Sequence, residues 1–177
     1  MMDMSTMSSG MMAGDDGDAS MKMRELVYSE QGASIWLRGL RTYLGVILAG
    51  NLLWESLHLP LYTIWRTGSL REQVFAVLHC TFGDLLIAVS TLTLALVIVG
   101  NGLWPVRHAR RVAALTILFG VSYTIYSEWL NVVVRAAWAY SDLMPVISIG
   151  KITVGMSPLL QWILVPGAAA WIVHRRG

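Results

Sequence analysis

Residues 74–99 read VFAVLHCTFGDLLIAVSTLTLALVIV, a run of 26 residues interrupted by one carboxylate, Asp84. Crossing a hydrocarbon core of about 30 Å takes roughly 20 helical residues, so this stretch alone is long enough to span a membrane. Three further apolar blocks flank it: Tyr43 to Trp65, Val112 to Val134 and Ser157 to Val173, the last with an extra turn expected from Ile152 to Met156. The links Arg66 to Gln73 and Asn101 to Arg111 are short and carry Gly68, Gly102 and Pro105. Short links make consecutive helices antiparallel neighbours. The expected fold is therefore all-α: a polytopic membrane protein with four transmembrane helices in an antiparallel bundle.

Composition agrees. The 177 residues are 55% hydrophobic and 14% charged, against roughly a quarter charged in a soluble domain. The mean hydropathy is +0.58. A net charge of +2, with its arginines dispersed between apolar blocks, excludes a nucleic-acid partner. The single cysteine, Cys80, excludes an intramolecular disulfide and any Cys-x-x-Cys motif, and reads as a small packing residue.

Before the first span, residues 1–23 form a Met-rich tail expected to be disordered. Its pairs Met2-x-Met4 and Met21-x-Met23 offer thioethers suited to Cu(I). Residues 24–42 mix Trp36, Leu37 and Leu40 with Arg24, Arg38 and Arg41, the pattern of an interfacial amphipathic helix. The spans and links that follow make residues 43–177 the membrane domain.

Orientation follows from lysine and arginine placement. Lys22, Arg24, Arg38, Arg41, Arg107, Arg110, Arg111, Arg175 and Arg176 fall on the side of both termini, and only Arg66, Arg71, Arg135 and Lys151 on the other. The positive-inside rule then makes both termini cytoplasmic, with the inner (plasma) membrane of a bacterium as the expected location. Trp36, Trp65, Trp104, Trp138 and Trp171 near span ends suit an aromatic belt.

Polar residues inside the spans are the functional candidates, because each is costly in hydrocarbon. In the first span Asn51, Glu55, His58 and Tyr62 follow at intervals of four, three and four, and so share one helix face. In the third, Thr124, Glu128, Asn131 and Arg135 repeat that spacing. The second opens with His79, Cys80 and Asp84, and the fourth carries Gln161. At 1.5 Å per residue, Glu55 and Asp84 lie about 15 Å from the noncytoplasmic ends, and His58, His79 and Glu128 about 7–11 Å. Nearly all the polarity occupies that half, which points to a cavity closed below by an apolar plug.

Three chemistries fit. Glu55, His58, Asp84 and Glu128 suit acid/base catalysis on a lipid-soluble substrate, held by Asn51, Tyr62, Tyr126, Asn131, Arg135, Trp138 and Gln161. His58, His79 and Glu55 suit a single divalent metal, and the two histidines can also ligate a haem axially. Without catalysis, the same stripes can act as interhelical glue, with Glu55 or Glu128 pairing Arg135. They then belong to a transporter component or an accessory subunit of a membrane complex, or to a homo-oligomer. Pro60 and Pro166 are expected to kink the first and fourth spans.

Overall fold

The structure is a computed structural model that describes residues 15–99, 104–150 and 152–176. It is mostly helical, and four helices are long and apolar enough to cross a membrane. The first, α1 (Asp15–His58), is a single helix of 44 residues. No proline interrupts it, and adding a residue to an existing helix is far cheaper than starting one. Residues 15–23, expected in the tail, are accordingly helical, and the stretch 24–42 is continuous with the first span and not a separate surface helix. The expectations for residues 1–14 fall outside the described residues.

Pro60 ends α1 instead of kinking it. Lacking an N–H and clashing with the preceding turn, it cannot continue the helix. The chain makes a 3-10 turn at Leu59–Leu61 and a one-turn helix, α2 (Ile64–Thr67). The next helix, α3 (Leu70–Val99), starts on a capping box. Glu72 Oε2 accepts from the Ser69 backbone N–H at 2.7 Å, and the Glu72 N–H donates to Ser69 Oγ at 3.4 Å.

After α4 (Ala109–Glu128) the helix widens into a π turn over Trp129–Val134. The Arg135 N–H donates to Leu130 O and the Ala137 N–H to Asn131 O, both at 2.8 Å, and Ala136 closes the turn at φ 48°. The connection then folds back on the end of α1. Ser141 N–H donates to Leu61 O at 2.9 Å, Thr63 N–H to Ala139 O at 2.9 Å, and Ser141 Oγ to Pro60 O at 3.0 Å. An antiparallel hairpin follows, β1 (Val146–Ile149) with β2 (Ile152–Gly155), paired Val146 to Gly155 and Ile149 to Ile152. The expected extra helical turn over Ile152 to Met156 is thus mostly strand. The last helix, α5 (Met156–Arg176), runs through Pro166.

α3 and α5 each pack on both α1 and α4. Tyr43 and Ile47 of α1 share a buried core with Leu92 and Ala95 of α3, Val112 of α4, and Ala169 and Val173 of α5. Tyr43 and Ile47, at the start of the apolar part of α1, and Val112, early in α4, meet late residues of α3 and α5, so consecutive spans run in opposite directions. The threonines of this half return their hydroxyls to the preceding turn: Thr91 to Ile87 O and Thr116 to Val112 O, both at 2.9 Å. Trp104, expected in the aromatic belt, is instead buried edge-on against Tyr43, with ring centroids 6.3 Å apart.

Close helix approach relies on glycine. A Cβ on Gly50 would lie 2.8 Å from Val165 Cγ1, and one on Gly120 would lie 2.2 Å from Trp162 Cε3. Small residues at such crossings let helices associate where hydrophobic driving force is weak. The outer surface has the converse character: Leu53, Leu57, Phe75, Leu86 and Val97 are exposed while Asn51, Glu55, Glu128 and Gln161 are buried. That distribution suits a lipid solvent, which rewards exposed apolar groups and penalises exposed polar ones.

Candidate functional site

Gln161 stands one turn into α5, and its side-chain nitrogen meets three acceptors from two other helices. Nε2 lies 3.2 Å from Asn51 Oδ1, 2.9 Å from Glu55 Oε1 and 2.8 Å from Asp84 Oδ2. An amide nitrogen has two hydrogens to give, so three oxygens compete for two bonds. Asp84 also approaches Glu55 and the Trp162 indole. The two carboxyl groups, from α1 and α3, thus face one another around a shared donor.

The other Glu55 oxygen meets His58. Nε2 of the imidazole is 3.0 Å from Glu55 Oε2, and Nδ1 is 2.9 Å from Ser157 Oγ. The Trp54 indole N–H donates to the same hydroxyl oxygen at 3.2 Å. A hydrogen on Nε2, with the Ser157 hydroxyl donating to Nδ1, satisfies every group in this chain. The i, i+3 spacing of Glu55 and His58 makes their pairing a property of the helix itself.

Glu128 is held from outside the bundle. The Tyr140 hydroxyl donates to Glu128 Oε2 and accepts the Gly155 N–H at 2.9 Å. Burial first, and then the bond to Glu128, raise the Tyr140 hydroxyl above its ordinary range, so it remains a donor at neutral pH. The ring packs on Tyr62 at 5.7 Å between centroids, and Tyr62 in turn sits edge-on to His58 at 5.4 Å. The Trp138 indole N–H is buried beside the Glu128 carboxyl but falls short of hydrogen-bond geometry and has no partner.

These groups surround a cavity of about 1230 Å³. Glu55, His58, Asp84, Glu128 and Gln161 line its interior, with Tyr62, Asn131 and Trp138, while Arg71 and Arg135 are exposed on its lining. Its lining draws on α1, α3, α4 and α5, and includes the exposed Phe75 on α3 and Tyr123 on α4. At one end the buried core shuts it off.

Most of the residues expected at a site therefore line one cavity, Arg135 and His79 at exposed positions among them, while Asn51 and Tyr126 do not. Asn51 is buried behind the cavity as an acceptor for Gln161. Tyr126 is exposed on the outer face, between Tyr123 at 6.3 Å and Trp129 at 6.0 Å. Arg135 is exposed and pairs with neither Glu55 nor Glu128, because the π turn carries it off the α-helical stripe. His79 is exposed and stacked on Phe75, ring centroids 5.6 Å apart.

Among the described residues no three His, Cys, Asp or Glu side chains are grouped so as to hold a metal ion. Both nitrogens of His58 are engaged in hydrogen bonds, which also leaves none for a haem iron. No family model, curated protein or solved structure matches the chain.

Ser157, Trp162 and Gly120 went unread as parts of the site. Ser157 and Pro158 at the start of α5 carry a recognisable helix-start signature, but nothing local to them indicates His58. Trp162 and Gly120 are matched across two helices, and neither has a local signal.

Proposed function

We propose that the protein is a small membrane enzyme that acts on a lipid-soluble substrate by acid/base chemistry in the cavity between α3 and α4. One observation carries this reading: Glu55, Asp84 and Glu128, from three different helices, line a single cavity. Holding helices together needs far less, since each further carboxyl taken out of water adds its own desolvation cost. Asp84 and Glu55 are the pair positioned to give and take a proton at the substrate, with His58 relaying to Glu55 from Ser157. Glu128, held by Tyr140, faces the same space from the opposite helix. The arginine distribution orients this half of the bundle away from the cytoplasm, with both termini inside.

The test is untargeted lipid analysis of membranes overproducing the wild-type chain or Glu55→Gln, Asp84→Asn and Glu128→Gln. The wild type should deplete one lipid-soluble species and accumulate a product, and the folded variants should not. A correctly folded triple variant whose membranes show the wild-type lipid profile refutes the assignment.

A further inference from the structure

The charge layout of the cavity says what kind of polar group enters it. The interior presents three carboxyl groups, Glu55, Asp84 and Glu128. The arginines on its lining, Arg71 and Arg135, are exposed, and neither reaches Glu55 or Glu128. Inside, the carboxyl oxygens are met by the Gln161 amide, the His58 imidazole and the Tyr140 hydroxyl, and by neither arginine. A chamber lined by three carboxyl groups is better matched to a cationic ligand than to an anionic one.

Two further features belong to a ligand and not to packing. The space is about 1230 Å³, at or beyond the upper end of small-molecule pockets at roughly 300–1000 Å³. The Trp138 indole N–H, on the lining beside Glu128, is buried without a partner. The rings of Tyr62 and Trp138 on the same walls present π-faces that also favour a cation. The lining also carries the exposed apolar rings of Phe75 and Tyr123, which suit a hydrocarbon chain.

We propose that the ligand is a lipophilic amine, its ammonium group seated among Glu55, Asp84 and Glu128 and its chain leaving between α3 and α4. This rests on the cavity being the substrate site, and names the class of substrate it takes.

Three probes with one chain length separate the possibilities: dodecylamine, N-acetyldodecylamine and dodecanoate, added to the full chain in lipid nanodiscs at neutral pH. Binding is read from quenching of tryptophan fluorescence, because Trp138 and Trp162 line the cavity. Dodecylamine should bind saturably and about tenfold or more tightly than either companion. Asp84→Asn should reduce that preference several-fold without altering binding of the neutral amide. Equal affinities for amine and amide, or tighter binding of dodecanoate, overturn the amine assignment and leave the cavity as a lipid site. Saturable binding of none of the three overturns both the amine assignment and the cavity reading. Because the comparison between probes uses wild-type protein, it decides the matter even if the variant misfolds.

Discussion

Replacing Gly120 with alanine should damage both the bundle and the site, and the structure fixes the scale of the effect. The added Cβ would lie 2.2 Å from Trp162 Cε3 and 2.7 Å from Cζ3, whereas carbon atoms rest about 3.5–4.0 Å apart. Relief requires about 1 Å or more of movement. Trp162 is rigid and 3% exposed, so the movement must be shared with the α4–α5 contact. Overpacking of this kind costs typically about 1–3 kcal/mol. For a chain of this length that corresponds to a fall in Tm of roughly 4–8 °C at the middle of the range. The assay is thermal unfolding in nanodiscs, with tryptophan emission as a second readout, because Trp162 also approaches Asp84 and lines the cavity. Gly45→Ala is the control: nothing lies within 4 Å of a Cβ there, and the gain in helix propensity should leave stability unchanged or raise it by up to about 1 kcal/mol. A Gly120→Ala protein that melts with the wild type and keeps its emission maximum would refute the packing argument.

Tyr140→Phe strips Glu128 of its donor and the Gly155 N–H of its acceptor, so stability should fall by about 1–3 kcal/mol, measured by thermal unfolding. The same hydroxyl stabilises the fold while protonated. That contribution is complete below the ordinary tyrosine value near 10 and is lost as pH rises through the elevated folded value. Tyr140→Phe should therefore flatten the alkaline limb of the stability profile, and an unchanged limb would count against the assignment. Ala136→Gly should stabilise by about 0.5 kcal/mol, because a left-handed alanine costs roughly 1–2 kcal/mol and glycine returns part of that gain as chain entropy. A lower Tm for this variant would show that the π turn does not need the left-handed residue.

The four spans are legible because length and hydropathy alone decide them, and neither depends on tertiary contacts. The stripe of Asn51, Glu55 and His58 is legible for a related reason: it lies on one unbroken helix, where spacing fixes direction. Extrapolation fails where the helix stops being an α-helix. The stripe through Glu128 was extended to Arg135 at 100° per residue, and the π turn over Trp129–Val134 rotates everything beyond Glu128 away from that line. Tyr140 holds Glu128 from a connection whose path depends on strand-like pairing with residues 61–63, which periodicity does not encode. The hairpin is different, since its signal was present. β-Branched runs at Val146–Ile149 and Ile152–Val154 flank a two-residue link that begins with Gly150, at φ 63°.

Glue and site, set against each other as readings of the same polar residues, are divided between them by position. Asn51, behind the cavity, and the Gln161 amide, on its wall, join α1, α3 and α5, and this part of the network would be needed in a protein with no ligand at all. Glu128 contributes nothing comparable to that junction. Its hydrogen bond goes to Tyr140, and its carboxyl lines the cavity. A carboxyl placed there for packing would be better replaced by an apolar side chain, which would fill the space at no desolvation cost. Glu128 thus stands on the cavity wall outside the hydrogen bonds that cement the helices, which is the arrangement a binding site requires and a purely structural network does not.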